Sequence, residues 1–322
     1  MIATPGVMLH PPQKSALVRG ARRAAPAPVA RSIGRARALA GAVPPTSLAL
    51  LAILSVQVGA ALAKGLFPAL GPGGVVFLRI GIAALVLLAV QRPRLRGHVR
   101  ADYGAVILFG LVIAVMNTAF YAALARLPLG IAVTLEFVGP LGVALAGSRR
   151  QRDLLWGGLA AVGIVLLAPL PTGQAALDPR GVALALLAGG GWAGYILLNV
   201  RVGRAFPGNA GLALAMAVAA FAVLPLGVGT GGAIRGQPHL LLAGVGVALL
   251  STAIPFSLEH AALKRLPARV FGVLMSVEPA VGALIGVVML GEAIGVRGLL
   301  AIVCVTIATG GSARFGRTDA SL

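Results

Sequence analysis

Apolar runs of membrane-crossing length recur along the chain from Thr46 to Gly311, separated by short polar breaks. A helix needs roughly 20 apolar residues to cross the hydrocarbon core. By that measure the pattern predicts about ten spans, near residues 46–66, 73–90, 104–124, 130–147, 153–170, 180–199, 208–227, 238–257, 269–290 and 296–312. The predicted fold class is an all-α polytopic membrane protein.

Composition sharpens this reading. Of the 322 residues, 58% are hydrophobic and only 11% charged, and the mean hydropathy is +0.97. A soluble domain carries about 25% charged residues, so this chain lacks the polar skin of a soluble enzyme or DNA-binding domain. The single cysteine, Cys304, excludes a disulfide framework or thiolate cluster and reads as a small apolar filler. The histidines His10, His98, His239 and His260 show no ligand spacing, so neither a metal nor a cofactor is expected.

The net charge of +19 matters through its distribution. Residues 1–43 hold seven basic residues, no acid and many Pro and Ala, and read as a disordered basic tail near anionic lipid, not a partner for nucleic acid. Met8 or a later codon is a candidate start. With the N-terminus in the cytoplasm, the tail, residues 91–102, 148–153, 200–207, 258–269 and the C-tail place 21 of 27 basic residues inside. That is the positive-inside bias of an inner-membrane protein with both termini cytoplasmic.

The chain also repeats itself. AALARLPLGIAVTLEFVGPLGVAL (122–145) aligns without gaps on AALKRLPARVFGVLMSVEPAVGAL (261–284) at an offset of 139, which also pairs Phe67-Pro68 with Phe206-Pro207. We expect a tail (1–43), a first repeat (44–172), a second repeat (173–313) and a cytoplasmic C-tail (314–322). With five spans per repeat, an odd number, the copies have inverted topology, and substrate is expected near the midplane between them.

Ionisable groups inside spans are costly, roughly 2.5–3.5 kcal/mol at the centre, and therefore mark function. Glu136 (TLEFVGP) and Glu278 (SVEPA) occupy nearly equivalent repeat positions, each followed by a proline. Pro140 and Pro279, with Pro255, are expected to break helices and free carbonyls for a wet cavity. Glu259 ends STAIPFSLEH and reads either as a cavity acid or as an interfacial one facing Lys264 or Arg265. Glu292, in MLGE, reads as a capping or salt-bridging residue. Gln57, Asn117, Tyr121, Trp192, Tyr195, Ser251, Thr252 and Ser276 complete the candidate substrate and proton pathway, Gln57 and Asn117 foremost because an amide in lipid needs a partner. Tyr195 and Asn199 equally suit interfacial anchoring. Arg79 reads as snorkelling to the outer face. The glycines of AGGGWAG (188–194) suit close helix packing.

Several of these phrases resemble the drug/metabolite transporter superfamily, EamA type, and within it the threonine/homoserine exporter branch: SVQVGAALAKGLFP, TLEFVGPLGVAL, STAIPFSLE and LMSVEPAVGALIGVVMLGE. The resemblance covers roughly residues 46–312. It implies ten helices around a central cavity in an inner-membrane exporter of small amino acids, driven by the proton gradient. It assigns no chemical role to Glu136 or Glu278. The alternatives are efflux of drugs or other metabolites on the same fold, and an intramembrane lipid-modifying enzyme. The latter lacks clustered catalytic groups, and GKS/GKT phosphate loops are absent.

Overall fold

The structure, a computed structural model, describes residues 43–93, 97–146, 151–167, 177–206, 210–263, 265–266 and 268–315. The expected basic tail and most of the C-tail lie outside the described residues. The described residues from Pro44 onward belong to one compact unit. Its elements are α1 (Pro45–Gly65), α2 (Phe67–Gln91), α3 (Arg100–Leu124), α4 (Leu129–Glu136), α5 (Val138–Ala146), α6 (Gln151–Leu167), α7 (Pro179–Ala205), α8 (Ala210–Ala222), α9 (Thr230–Gly236), α10 (His239–Ala248), α11 (Ile254–Leu263), α12 (Ala268–Met275), α13 (Glu278–Leu290) and α14 (Val296–Phe315). A 3₁₀ turn (Leu224–Gly227) follows α8, and a π-helical turn (Leu249–Ala253) joins α10 to α11. There is no strand among the described residues.

Local signals explain many ends. Proline stands in the first helical turn of α1, α2, α7 and α13, where its missing N–H costs nothing. Asp178 caps α7 by accepting from the Arg180 N–H. The GPGG phrase becomes a kink inside α2, at Gly71 with φ 66°. Gly291, at φ 65°, ends α13 in the left-handed conformation that glycine adopts without steric cost.

Over their described residues the ten predicted windows fall mainly on helix. Six described helices are long and apolar enough to cross a membrane: α1, α2, α3, α7, Val273–Leu290 and α14. Ala210–Ala222 with Leu224–Gly236 passes as a pair bent by 56°. The windows at 130–147, 153–170 and 238–257 fall on shorter apolar helices. The outer surface exposes large apolar side chains such as Leu85, Phe221 and Val288, as a lipid-facing surface requires. Among the described residues one apolar core joins Val76, Ile80, Phe109, Tyr121 and Met216, a second joins Leu124, Leu129, Leu135, Ile285 and Val305, and a smaller one joins Leu141, Ala160 and Ala308.

The repeat is visible in the element ends. Shifted by 139, α4 (Leu129–Glu136) lands on 268–275, the bounds of α12, and the end of α3 at Leu124 lands on Leu263, the end of α11. Both copies break in mid-helix at the matched position. The α4–α5 break is at Phe137, and the α12–α13 break at Ser276 and Val277.

A polar cluster inside the helices

Glu278 is the first residue of α13, at the break, and only 5% of its surface is exposed. The Gln57 side chain (2% exposed) reaches it from α1, donating from Nε2 to Glu278 Oε1 at 3.0 Å. The other oxygens of this pair, Gln57 Oε1 and Glu278 Oε2, are buried without a hydrogen-bond partner. Gly282, one turn beyond Glu278, makes room for the amide: a Cβ there would sit 3.0 Å from Gln57 Oε1.

A second polar group is built on Arg79 of α2. Snorkelling to the membrane surface is the wrong reading of this residue. Its Nη1 donates to Asn117 Oδ1 of α3, and its Nη2 to the Ser251 carbonyl at 3.3 Å. The guanidinium lies over the Tyr121 ring, 5.4 Å from the centroid. Arg79 lies six positions inside its predicted span, so reaching the surface would mean climbing past more than a helical turn. Asn117 keeps Oδ1 free for the arginine because its own Nδ2 donates to the Ile113 carbonyl at 2.8 Å.

The proline at 255 explains why Ser251 can accept. Proline has no N–H, so the carbonyl four residues earlier loses its α-helical donor. That carbonyl belongs to Ser251, in the π-helical turn. Its neighbour, the Leu250 carbonyl, accepts from Ser55 Oγ at 2.8 Å. Ser251 Oγ packs against α1, where a Cβ at Gly59 would lie 2.4 Å from it, and has no hydrogen-bond partner. Thr252 is buried beside it.

Pro140 has the same effect at Glu136, whose carbonyl is four residues back and faces α7. A Cβ at Gly189 would come within 2.8 Å of that oxygen. The Glu136 side chain is half-buried and within electrostatic reach of Arg79 and Glu278. Glu259 is likewise in reach of Glu278 and Tyr195. Arg79, Glu136, Glu278 and Glu259 are therefore linked electrostatically in that order, across both halves of the chain.

Other candidates have structural tasks. Trp192 stacks edge-on against Phe137 at 4.9 Å, and Tyr195 packs on Phe109 at 5.1 Å. Ser276 Oγ donates to the Val273 carbonyl at 2.7 Å and lies against Gly310 of α14. Pro279 sits in the first turn of α13.

A separate ion pair closes one end of the bundle. Lys64 Nζ, at the end of α1, donates to Glu292 Oε1 at 2.6 Å and to the Leu127 carbonyl at 2.8 Å. Glu292 Oε2 accepts the Leu129 N–H at 2.7 Å. This carboxylate caps α4, which has no side-chain cap of its own at Pro128. Salt-bridging at Glu292 was legible in the sequence; its lysine partner was not. Because the pair is mostly buried, breaking it leaves a charge stranded. We predict that Lys64→Met destabilises the protein by roughly 3 kcal/mol and that adding Glu292→Gln recovers part of the loss. Detergent melts of the two single variants and the double variant check this.

The exposed Arg126–Asp178 pair (2.9 Å) makes a smaller contribution. Its hydrogen bond from Arg126 holds the Asp178 carboxyl below the usual carboxylate range, helped by the Arg180 N–H. Stability from a depressed carboxylate is present above its unfolded pKa and lost as pH falls through the folded one. The melting temperature of Asp178→Asn is therefore expected to lie slightly below that of the parent at pH 7, with the gap closing towards pH 3.

This arrangement of apolar helices around buried polar groups belongs to membrane transport, and comparison with known proteins agrees. Residues 179–313 match the EamA-like transporter family. The threonine/homoserine exporter RhtA of Salmonella typhimurium strain SL1344 is 42% identical over 268 residues, covering 83% of this chain and 90% of its own length. RhtA of Escherichia coli K12 is 41% identical over 278 residues, covering 86% and 94%. One solved crystal structure shares the fold with a TM-score of 0.54 at 21% identity, covering 84% of this chain and 97% of that one. The chain belongs to the EamA-like family of membrane transporters.

Proposed function

We propose that this protein exports small amino acids, of the threonine and homoserine type, from the cytoplasm across the bacterial inner membrane. The observation that supports this most directly is a pair of buried polar contacts, Gln57 with Glu278 and Arg79 with Asn117 and the Ser251 carbonyl, inside helices otherwise made of apolar residues. They come from both repeats, and buried polar groups are retained in lipid for a purpose. The relatives, threonine/homoserine exporters by name, supply the substrate class.

In this reading ten helices form two inverted five-helix repeats around a wet chamber, and alternating access comes from rocking one against the other. The breaks beside Glu136 and Glu278 are the flexible points. With the N-terminus inside, the Lys64–Glu292 pair lies at the outer end, where it acts as a latch that opens for release. The chamber's electrostatic set holds one guanidinium against three carboxyl groups, an imbalance suited to taking up protons that move against the substrate.

The test is counterflow in proteoliposomes with labelled threonine or homoserine under an imposed pH gradient. Expected is saturable exchange that responds to the gradient. Exchange of dyes or drugs with no amino-acid exchange would move the function to drug efflux.

A further inference from the structure

We propose that the groove between α2 and α8 is a binding site for one anionic phospholipid, whose acyl chain lies in the groove and whose phosphate is taken by Arg92. The groove is a cavity of about 390 Å³ lined wholly by apolar residues, among them Leu78, Gly81, Leu85 and Leu88 of α2 and Ala217 and Phe221 of α8. A Cβ at Gly81 would meet no atom within 4 Å, so the wall is set back at this glycine. Leu85 and Phe221 are 70% and 74% exposed, and the groove opens to the lipid side. Its length is that of one leaflet. The stretch from Phe77 to Leu88 rises about 16 Å along the helix axis, and half of the hydrocarbon core is about 15 Å deep.

Arg92 marks the headgroup end. It lies four residues beyond Leu88 and seven beyond Leu85, on the same stripe of α2. It ends the helix in the left-handed conformation (φ 42°), the only non-glycine with positive φ among the described residues. Its N–H donates to the Leu88 carbonyl at 2.9 Å, and its Nε to the Ala89 carbonyl at 3.4 Å. These bonds hold the exposed guanidinium back against the last turn of α2, beside the groove. Its two Nη groups form a fork that suits a phosphate.

The surrounding charge points to an anionic lipid. Residues 91–102 also carry Arg94, Arg96 and Arg100 against one acid, Asp102, whose Oδ2 accepts the Val99 N–H at 3.2 Å. A basic segment at the membrane surface attracts anionic headgroups, and a headgroup of no net charge gains less. With the N-terminus inside, this is the cytoplasmic leaflet. The inference rests on the membrane setting and is independent of the cargo. Because α2 and α8 come from different halves of the chain, a lipid here straddles the seam between them.

Native mass spectrometry of the full chain tests the site, with phosphatidylglycerol and phosphatidylethanolamine of matched acyl chains added in turn. The first phosphatidylglycerol should bind roughly fivefold more tightly than the first phosphatidylethanolamine. Arg92→Gln should bring the two lipids level, and Arg92→Lys should restore part of the preference. Arg235→Gln, the same loss of charge at an exposed residue of α9, should leave it intact. Gly81→Leu, whose branch fills the groove, should weaken both lipids several-fold at an unchanged melting temperature. An unchanged preference in Arg92→Gln overturns the headgroup assignment, and unchanged affinities in Gly81→Leu overturn the groove. Competition by glycerol phosphate, which has the headgroup but no chain, would overturn the lipid in favour of a free-phosphate site. A parent dimer that Gly81→Leu splits into monomers would put a second copy in the groove instead.

Discussion

Replacing Glu278 by Gln is expected to reduce amino-acid exchange at least tenfold and towards a hundredfold, with the protein still folded and inserted. The carboxyl is buried at a helix break, tied by one oxygen to Gln57 and leaving the other unsatisfied. A hydrogen bond to a charged group is worth about 1.5–3 kcal/mol, and each 1.4 kcal/mol is a factor of ten in affinity. The amide keeps the volume and one acceptor oxygen, so packing against Gln57 and Gly282 survives. The charge does not, and the carboxyl's capacity to take or give a proton goes with it. Counterflow and gradient-driven efflux, measured on protein matched for melting temperature, separate this loss from misfolding. Glu278→Asp, which retains the charge but shortens the reach, should fall between the two. Undiminished exchange by Glu278→Gln would remove the carboxylate from the mechanism.

Much of this site was legible in the sequence because lipid raises the cost of every polar atom. Gln57 and Glu278 stood out as side chains that no apolar helix would hold idly, and they touch. Asn117 stood out likewise, but its partner did not. Arg79, read from sequence as close to the outer face, has an inexpensive alternative in snorkelling, and sequence does not tell where its head points. The deciding feature lies far along the chain: Pro255 strips the Ser251 carbonyl of its α-helical donor, and that carbonyl becomes an acceptor for the guanidinium. The lysine partner of Glu292 was obscure for the same reason, since a pair more than two hundred residues apart leaves no local pattern. Trp192 and Tyr195 were ambiguous in another way. An aromatic with a polar tip in a span suits either a cavity or a packed interface, and here the rings pack on Phe137 and Phe109. The repeat, by contrast, was read from shared residues alone, and the matched breaks at Phe137 and Ser276 follow it.

Gly139→Val is expected to be the most damaging single change outside the polar cluster. Gly139, on α5, faces Gly189 on α7 so closely that a Cβ at Gly139 would lie 1.8 Å from the Gly189 carbonyl oxygen. That oxygen is backbone and cannot swing aside as a side-chain tip could. Membrane helices gain little from apolar burial against one another and depend on such close backbone approach. To admit even one methyl the two helices must part by more than 1 Å, which forfeits dispersion contacts along the whole crossing. A branched side chain adds strain of about 1–3 kcal/mol or more on top. The injury would reach function through the fold. Gly189 also lies against the carbonyl of Glu136, so prising α5 from α7 shifts the break that positions this acid relative to Arg79. We expect a lower yield of monodisperse protein, a melting temperature several degrees below the parent, and slowed exchange in whatever fraction folds. Gly142→Val on the same helix is the control, because a Cβ there meets no atom within 4 Å. Its melting temperature should stay within a degree or two of the parent, and equal damage from both variants would show that glycine flexibility, not the close crossing, is what this segment needs.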